Sequence, residues 1–141
     1  MSTDLSDKVV VVTGASLGIG RSTAIAFGEA GASVVVNYRS HSEQAEEVVS
    51  AIEAAGGKAV AHQADVADLD SVQTLVQRAV SEFGKLDIAV SNAAYSDREF
   101  FYQAEMEGFR RTVDVTMWGA FYLTRVATQQ MIAQQSGGII T

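Results

Sequence analysis

Three glycines stand in the stretch Thr13-Gly14-Ala15-Ser16-Leu17-Gly18-Ile19-Gly20, directly after Val9-Val10-Val11-Val12. Glycine lets a chain turn sharply and lets its backbone approach a ligand with no Cβ in the way. A helix opening near Gly18 would turn its unpaired N–H groups and positive dipole end toward the same place, which suits a pyrophosphate. The spacing is G-x-x-x-G-x-G and not the G-x-G-x-x-G fingerprint, and a P-loop is excluded because no Gly-Lys-Ser/Thr occurs. Other chemistry-bearing types are scattered. His41 and His62 have no second histidine or carboxylate at ligand spacing, so no metal site is expected. Glu43, Glu46, Glu47 and Glu53 read as the solvated face of a helix.

The elements that must position the glycine turn follow from periodicity. The four valines mark a strand buried on both faces, expected over Lys8 to Thr13. Ser33 to Tyr38, Lys58 to His62 and Asp87 to Val90 repeat the pattern. Between them, Ala45, Val48, Val49, Ile52 and Ala55, and then Val72, Leu75, Val76, Ala79, Val80 and Phe83, recur at the spacing of one helix face. Gly31, Gly56-Gly57 and Gly84 precede the next strands, as left-handed helix ends would. Strands alternating with helices require crossovers and hence a parallel sheet. The expected fold is therefore α/β, a parallel sheet built from βαβ units, with residues 1–141 forming one domain. A long helix is expected from about Gln103 to Gln135. One apolar face would carry Met106, Phe109, Val113, Met117, Ala120, Phe121, Thr124 and Met131, and a second stripe Val115, Trp118, Tyr122 and Val126. That surface reads either as a buried central helix or as a subunit contact. Gly137 to Thr141 looks like a fifth strand, so the domain is expected to be truncated, C-terminally incomplete, as that strand begins.

Composition sets the boundaries. The 141 residues are 48% apolar and 19% charged, a globular balance. Ten basic against 17 acidic residues give −7, a sign that opposes non-specific attraction to nucleic acid or anionic lipid. No apolar run approaches the ~18 residues of a membrane span. With no cysteine and no signal-like start, a cytoplasmic location is expected.

Taken together, Thr13 to Gly20, Asp65-Val66, Ser91-Asn92-Ala93-Ala94 and Asp114-Val115-Thr116-Met117-Trp118-Gly119 resemble, in order, the motifs of classical short-chain dehydrogenases/reductases. Val36-Asn37-Tyr38-Arg39-Ser40 is similar to the glucose-dehydrogenase and 3-oxoacyl-carrier-protein-reductase branches. The resemblance implies an α/β, doubly wound parallel sheet of Rossmann type with strand order 3-2-1-4-5, residues 1–141 as its dinucleotide-binding domain, and a dinucleotide held by Gly14, Ser16, Leu17, Gly18, Ile19 and Gly20. It further implies adenine contacts from Asp65 and Val66, ribose contacts from the Asn92-Ala93 segment, and homo-oligomers. Within that frame the end of the second strand selects the cofactor. An acid there would bind a ribose 2′-hydroxyl and favour NAD. Here there is none, and Arg39 can make charge-assisted bonds to a 2′-phosphate, so NADP is expected, with NAD also open. The plain alternative is a solvated arginine.

The family's proton chemistry rests on Tyr-x-x-x-Lys, in which the lysine lowers the tyrosine pKa. The residues four positions after the four tyrosines are Ser42, Glu99, Met106 and Val126, so no pair lies within residues 1–141. No catalytic residue is assigned beyond Thr116, which stands at the helix-asparagine position of the family. The aromatic loop Tyr95, Phe100, Phe101 and Tyr102 flanks the substrate site in relatives, or else packs locally. Two readings compete: the cofactor-binding part of a short-chain oxidoreductase acting on a sugar or 3-oxoacyl substrate, or a catalytically silent nucleotide-binding module. An S-adenosylmethionine methyltransferase is more distant, because it typically needs an acid after the second strand.

Overall fold

The computed structural model describes residues 4–141. In chain order it contains β1 (Val9–Val12), α1 (Gly18–Glu29), β2 (Ser33–Tyr38), α2 (Ser42–Ala54), β3 (Lys58–Gln63), α3 (Leu69–Phe83) and β4 (Ile88–Val90). There follow α4 (Met106–Thr112), a π-helical stretch (Val113–Trp118), α5 (Gly119–Ala133) and β5 (Ile139–Ile140). All pairings are parallel and the strand order is β3-β2-β1-β4-β5, with Val10 level with Val34 and Ile88.

Period-two alternation sorts the valines into two cores. Val9, Val11 and Val35 point to the side covered by α3 and α5, where Leu75, Leu86 and Leu123 are fully buried. Val10, Val12, Val34 and Val36 point to the side covered by α1 and α2, around Ile52. This is the doubly wound α/β layering that the sequence pattern requires. Gly31, Gly56 and Gly84 all have positive φ, as expected of helix-ending glycines.

The long C-terminal helix departs from expectation in register. The positions that reach the sheet are Val115, Gly119, Leu123, Val126, Ala127 and Met131. Met106, Phe109, Met117 and Phe121 of the first expected stripe are more than half exposed, and Trp118 of the second is exposed as well, so for these residues the buried-helix reading does not hold. Two physical causes account for the shift. The π-helical turns hold more residues per turn than an α-helix, so the face rotates between residues 113 and 118. The contact also runs through small residues that a search for large apolar side chains passes over. A Cβ on Gly119 would lie 2.7 Å from Val66 Cγ2. Among the described residues, no helix is long and apolar enough to cross a membrane.

Candidate functional site

The site lies at the carboxyl ends of β1, β2, β3 and β4, where open parallel sheets place their crevice. Its foundation is a buried polar lattice under the glycine turn. Thr13, 1% exposed, donates from Oγ1 to the Val90 carbonyl (3.2 Å). The same oxygen accepts the N–H groups of Asn92 (3.0 Å) and Ala93 (3.1 Å). Asn92 Nδ2 in turn donates to the carbonyls of Thr13 (2.9 Å) and Gly14 (3.1 Å). From the other side, Asn37, 2% exposed, accepts the Gly14 N–H at Oδ1 (3.1 Å). Its Nδ2 donates toward the carbonyls of Tyr38 (3.3 Å), His62 (3.3 Å) and Ala64 (3.2 Å). One amide thus ties the turn to two strand ends.

On this base the turn presents backbone to the open side. Gly18 has φ +57°, and a Cβ built on it would meet nothing within 4 Å. Gly20 is the opposite case. A Cβ there would lie 2.3 Å from the Gly14 carbonyl oxygen, so only glycine lets α1 start so close to the turn. α1 has no side-chain cap and no acid in its first turn. Its first N–H groups and dipole end are therefore left for an anion. By contrast, α3 spends the equivalent capacity on its own Asp68, whose carboxylate accepts the Ser71 N–H (3.2 Å).

Beside the turn opens a cavity of about 370 Å³. Of the sequence-derived residues, Gly14, Ser16, Arg39, Asp65, Val66, Asn92 and Ala93 line it. Leu17, Gly18 and Ile19 lie outside its lining on the exposed rim of the turn, and Gly20 is buried beneath it. Arg39 is exposed, and its carbonyl accepts the Gln63 side-chain N–H (2.9 Å). The Asn92 side chain is committed to the turn, so what it offers a ligand is position more than a free amide. Thr116 lies outside the cavity lining. Its hydroxyl donates to the Tyr95 carbonyl (3.2 Å) and accepts the Tyr95 N–H (3.3 Å), which ties the loop after β4 to the π-helical stretch. Phe100, Phe101 and Tyr102 of that loop are exposed, with the Phe100 and Tyr102 rings stacked.

Asp65 carries the main electrostatic feature. Burial alone would raise its carboxyl pKa. The Ala67 N–H (3.0 Å), the Arg111 guanidinium (2.7 Å) and the more distant charge of Arg39 outweigh burial and hold the pKa below its ordinary value. Arg111, from α4, had no signal in the sequence beyond its neighbour Arg110. Asn37 had one: a lone amide closing a buried valine run. No group of three or more potential metal-ligating side chains occurs among the described residues.

Comparison with known proteins gives this geometry a family. The sequence model of short chain dehydrogenases matches residues 8–141. The chain belongs to the short-chain dehydrogenase family. It is 42% identical over 136 residues to an L-rhamnose 1-dehydrogenase (NAD(P)(+)) of Sphingomonas, covering 96% of this chain and 54% of that protein. A 3-oxoacyl-[acyl-carrier-protein] reductase FabG of Staphylococcus aureus is 41% identical over 133 residues, covering 94% of this chain and 54% of that protein. A crystal structure of a short-chain dehydrogenase/reductase from Mycobacterium marinum superposes with a TM-score of 0.93 at 37% identity, over 99% of this chain and 56% of that one. This short-chain dehydrogenase chain thus spans about half the length of the curated relatives it matches.

Proposed function

We propose that the chain is the cofactor-binding part of an NADP-using oxidoreductase that acts on an alcohol or carbonyl group of a sugar or 3-oxoacyl substrate in the cytoplasm. The observation that carries the cofactor choice is the end of β2: Arg39 lines the cavity, and Asn37-Tyr38-Arg39-Ser40 offers no carboxylate against a 2′-phosphate. The bound dinucleotide would supply hydride chemistry at its nicotinamide. This chain's own part is to hold the rest of the molecule. The open backbone at Gly18 and the uncapped start of α1 would take the pyrophosphate, Arg39 the 2′-phosphate, and the Asp65-Val66 wall the adenine. The two named relatives motivate the substrate classes. The exposed ridge of Met106, Phe109, Met117 and Phe121 is proposed to pack against a second copy.

Fluorescence titration of the native full-length protein with NADPH and NADH tests the reading. Charge-assisted bonds to phosphate are worth about 1.5–3 kcal/mol, so NADPH should bind about 10- to 100-fold more tightly, and Arg39→Glu should reverse the order. No saturable binding of either nucleotide would refute the proposal. A silent nucleotide-binding module is the second reading, since the glycine turn and the cavity beside it need only bind. Nucleotide binding by the native protein with no carbonyl-dependent oxidation of NADPH would support it.

A further inference from the structure

Among the described ion pairs, Arg111–Asp65 joins two residues that both line the cavity, at 2.7 Å. The side chains are 25% and 35% exposed, so the pair adds little to folding. Its place is more informative. The helix that runs from α4 into α5 meets the segment after β3 at steps of four residues. Arg111 pairs with Asp65, Val115 closes the cavity wall, and Gly119 lets the backbone settle on Val66. The π-helical turns between them keep these three positions on one face.

Asp65 is fixed from two sides, through Oδ1 by the Ala67 N–H and through Oδ2 by Arg111. A carboxylate has about four lone-pair sites and no proton to donate, so it retains capacity only for a further donor. We propose that Arg111 is a positioning residue of a nucleobase subsite. It holds the Asp65 carboxylate as a fixed acceptor, and thereby favours a purine bearing an exocyclic amino group over one bearing an oxo group at the same place. An amino group donates to the carboxylate, whereas an oxo group sets acceptor against acceptor, and a site built for a hydrogen bond rejects the analogue that lacks it. The inference rests on the dinucleotide reading above.

The test uses the native full-length protein and two probes, NADPH and its hypoxanthine counterpart, with binding followed by fluorescence. The unaltered protein should prefer NADPH by about tenfold or more. Arg111→Met should shrink that ratio to about threefold or less, with an unchanged circular dichroism spectrum, and Arg111→Lys should recover part of it. Asp65→Asn should abolish the preference, and adding Arg111→Met to it should change the ratio no further. Should Arg111→Met fail to fold, Arg111→Gln carries the same comparison. Full preference retained by the folded Arg111 variant, or no preference in the unaltered protein, overturns the inference and leaves the dinucleotide reading standing. Binding of neither probe overturns both.

Discussion

The Asn37 amide offers the sharpest test of how the site is built. It sits at the end of a buried valine strand, accepting one N–H and donating toward three carbonyl oxygens 3.2–3.3 Å away. Asn37→Asp preserves shape and the acceptor for Gly14 but replaces the donor with a second oxygen. An ionised carboxylate would face those carbonyls with almost no access to water, so the folded protein should keep this carboxyl protonated. The protonated form donates one hydrogen instead of two, at a cost of about 1 kcal/mol at any pH. In the unfolded chain the same group ionises near 3.9, and each pH unit above that costs the protonated fold about 1.4 kcal/mol. The folded pKa is raised, so the loss grows as pH rises. The variant should be destabilised by about 2–3 kcal/mol at pH 5 and about 5 kcal/mol at pH 7, close to the whole stability of many domains. Urea unfolding of variant and parent at both values measures this, and Asn37→Leu, which cannot ionise, should lose a constant amount. An Asn37→Asp penalty that stays level with pH would mean that the carbonyls do not converge on this side chain, and the argument for the lattice would fail.

Other expectations follow from neighbouring features. Gly20→Ala should cost about 2–3 kcal/mol, because the new methyl collides with the Gly14 carbonyl and with Asn92. Gly18→Ala meets open space and should cost only the left-handed backbone, about 1–2 kcal/mol. Its nucleotide affinity should fall by more than its melting temperature suggests, and equal losses in the two variants would contradict this division. His62 has its pKa lowered by burial first and by the charge of Arg78 second. The unfolded chain therefore takes up a proton more readily, and the His62 contribution is present above pH 6.5 and lost as pH falls. His62→Gln should flatten the stability profile between pH 7 and 5, and an unchanged slope would exclude His62 as its source. Phe121→Glu should shift sedimentation of the native protein toward smaller species if the exposed ridge is a subunit contact, whereas unaltered sedimentation would remove the ridge from that role.

How far the sequence could be read depended on how local each signal was. The valine runs and the glycines after each helix are local, and they sufficed for strand positions, layering and the turn that faces the site. Strand order came from family resemblance and matches the observed sheet. The Arg111–Asp65 pair was invisible because it joins residues 46 positions apart, with nothing in either neighbourhood to couple them. In the sequence Asn37 marks a missing acid and a lone amide closing a valine run, while its real work is to hold Gly14 against two strand ends. The long helix left two readings open because large apolar residues were counted. Met106, Phe109, Met117 and Phe121 face outward, and the inward contact is made by Gly119, Leu123 and Ala127 through a π-helical register that periodicity of 3.6 does not describe.

The strand order also sets a timetable for synthesis. β1 is made first yet ends at the centre of the sheet, with β2 on one side and β4 on the other. On a ribosome, β1, β2 and β3 can pair soon after they emerge, since each follows its neighbour through a single helix. The other edge of β1, a row of valines with unpaired backbone, must wait until all of α3 has been made and β4 arrives. For that interval, at roughly 5–20 residues per second, the nascent chain carries an open apolar edge of the kind that recruits other strands. α3, which packs on one face of β1 in the finished fold, is also the segment whose translation creates the delay. Slowing synthesis within α3 should therefore promote aggregation more than slowing it after β4, when both edges of β1 are already paired.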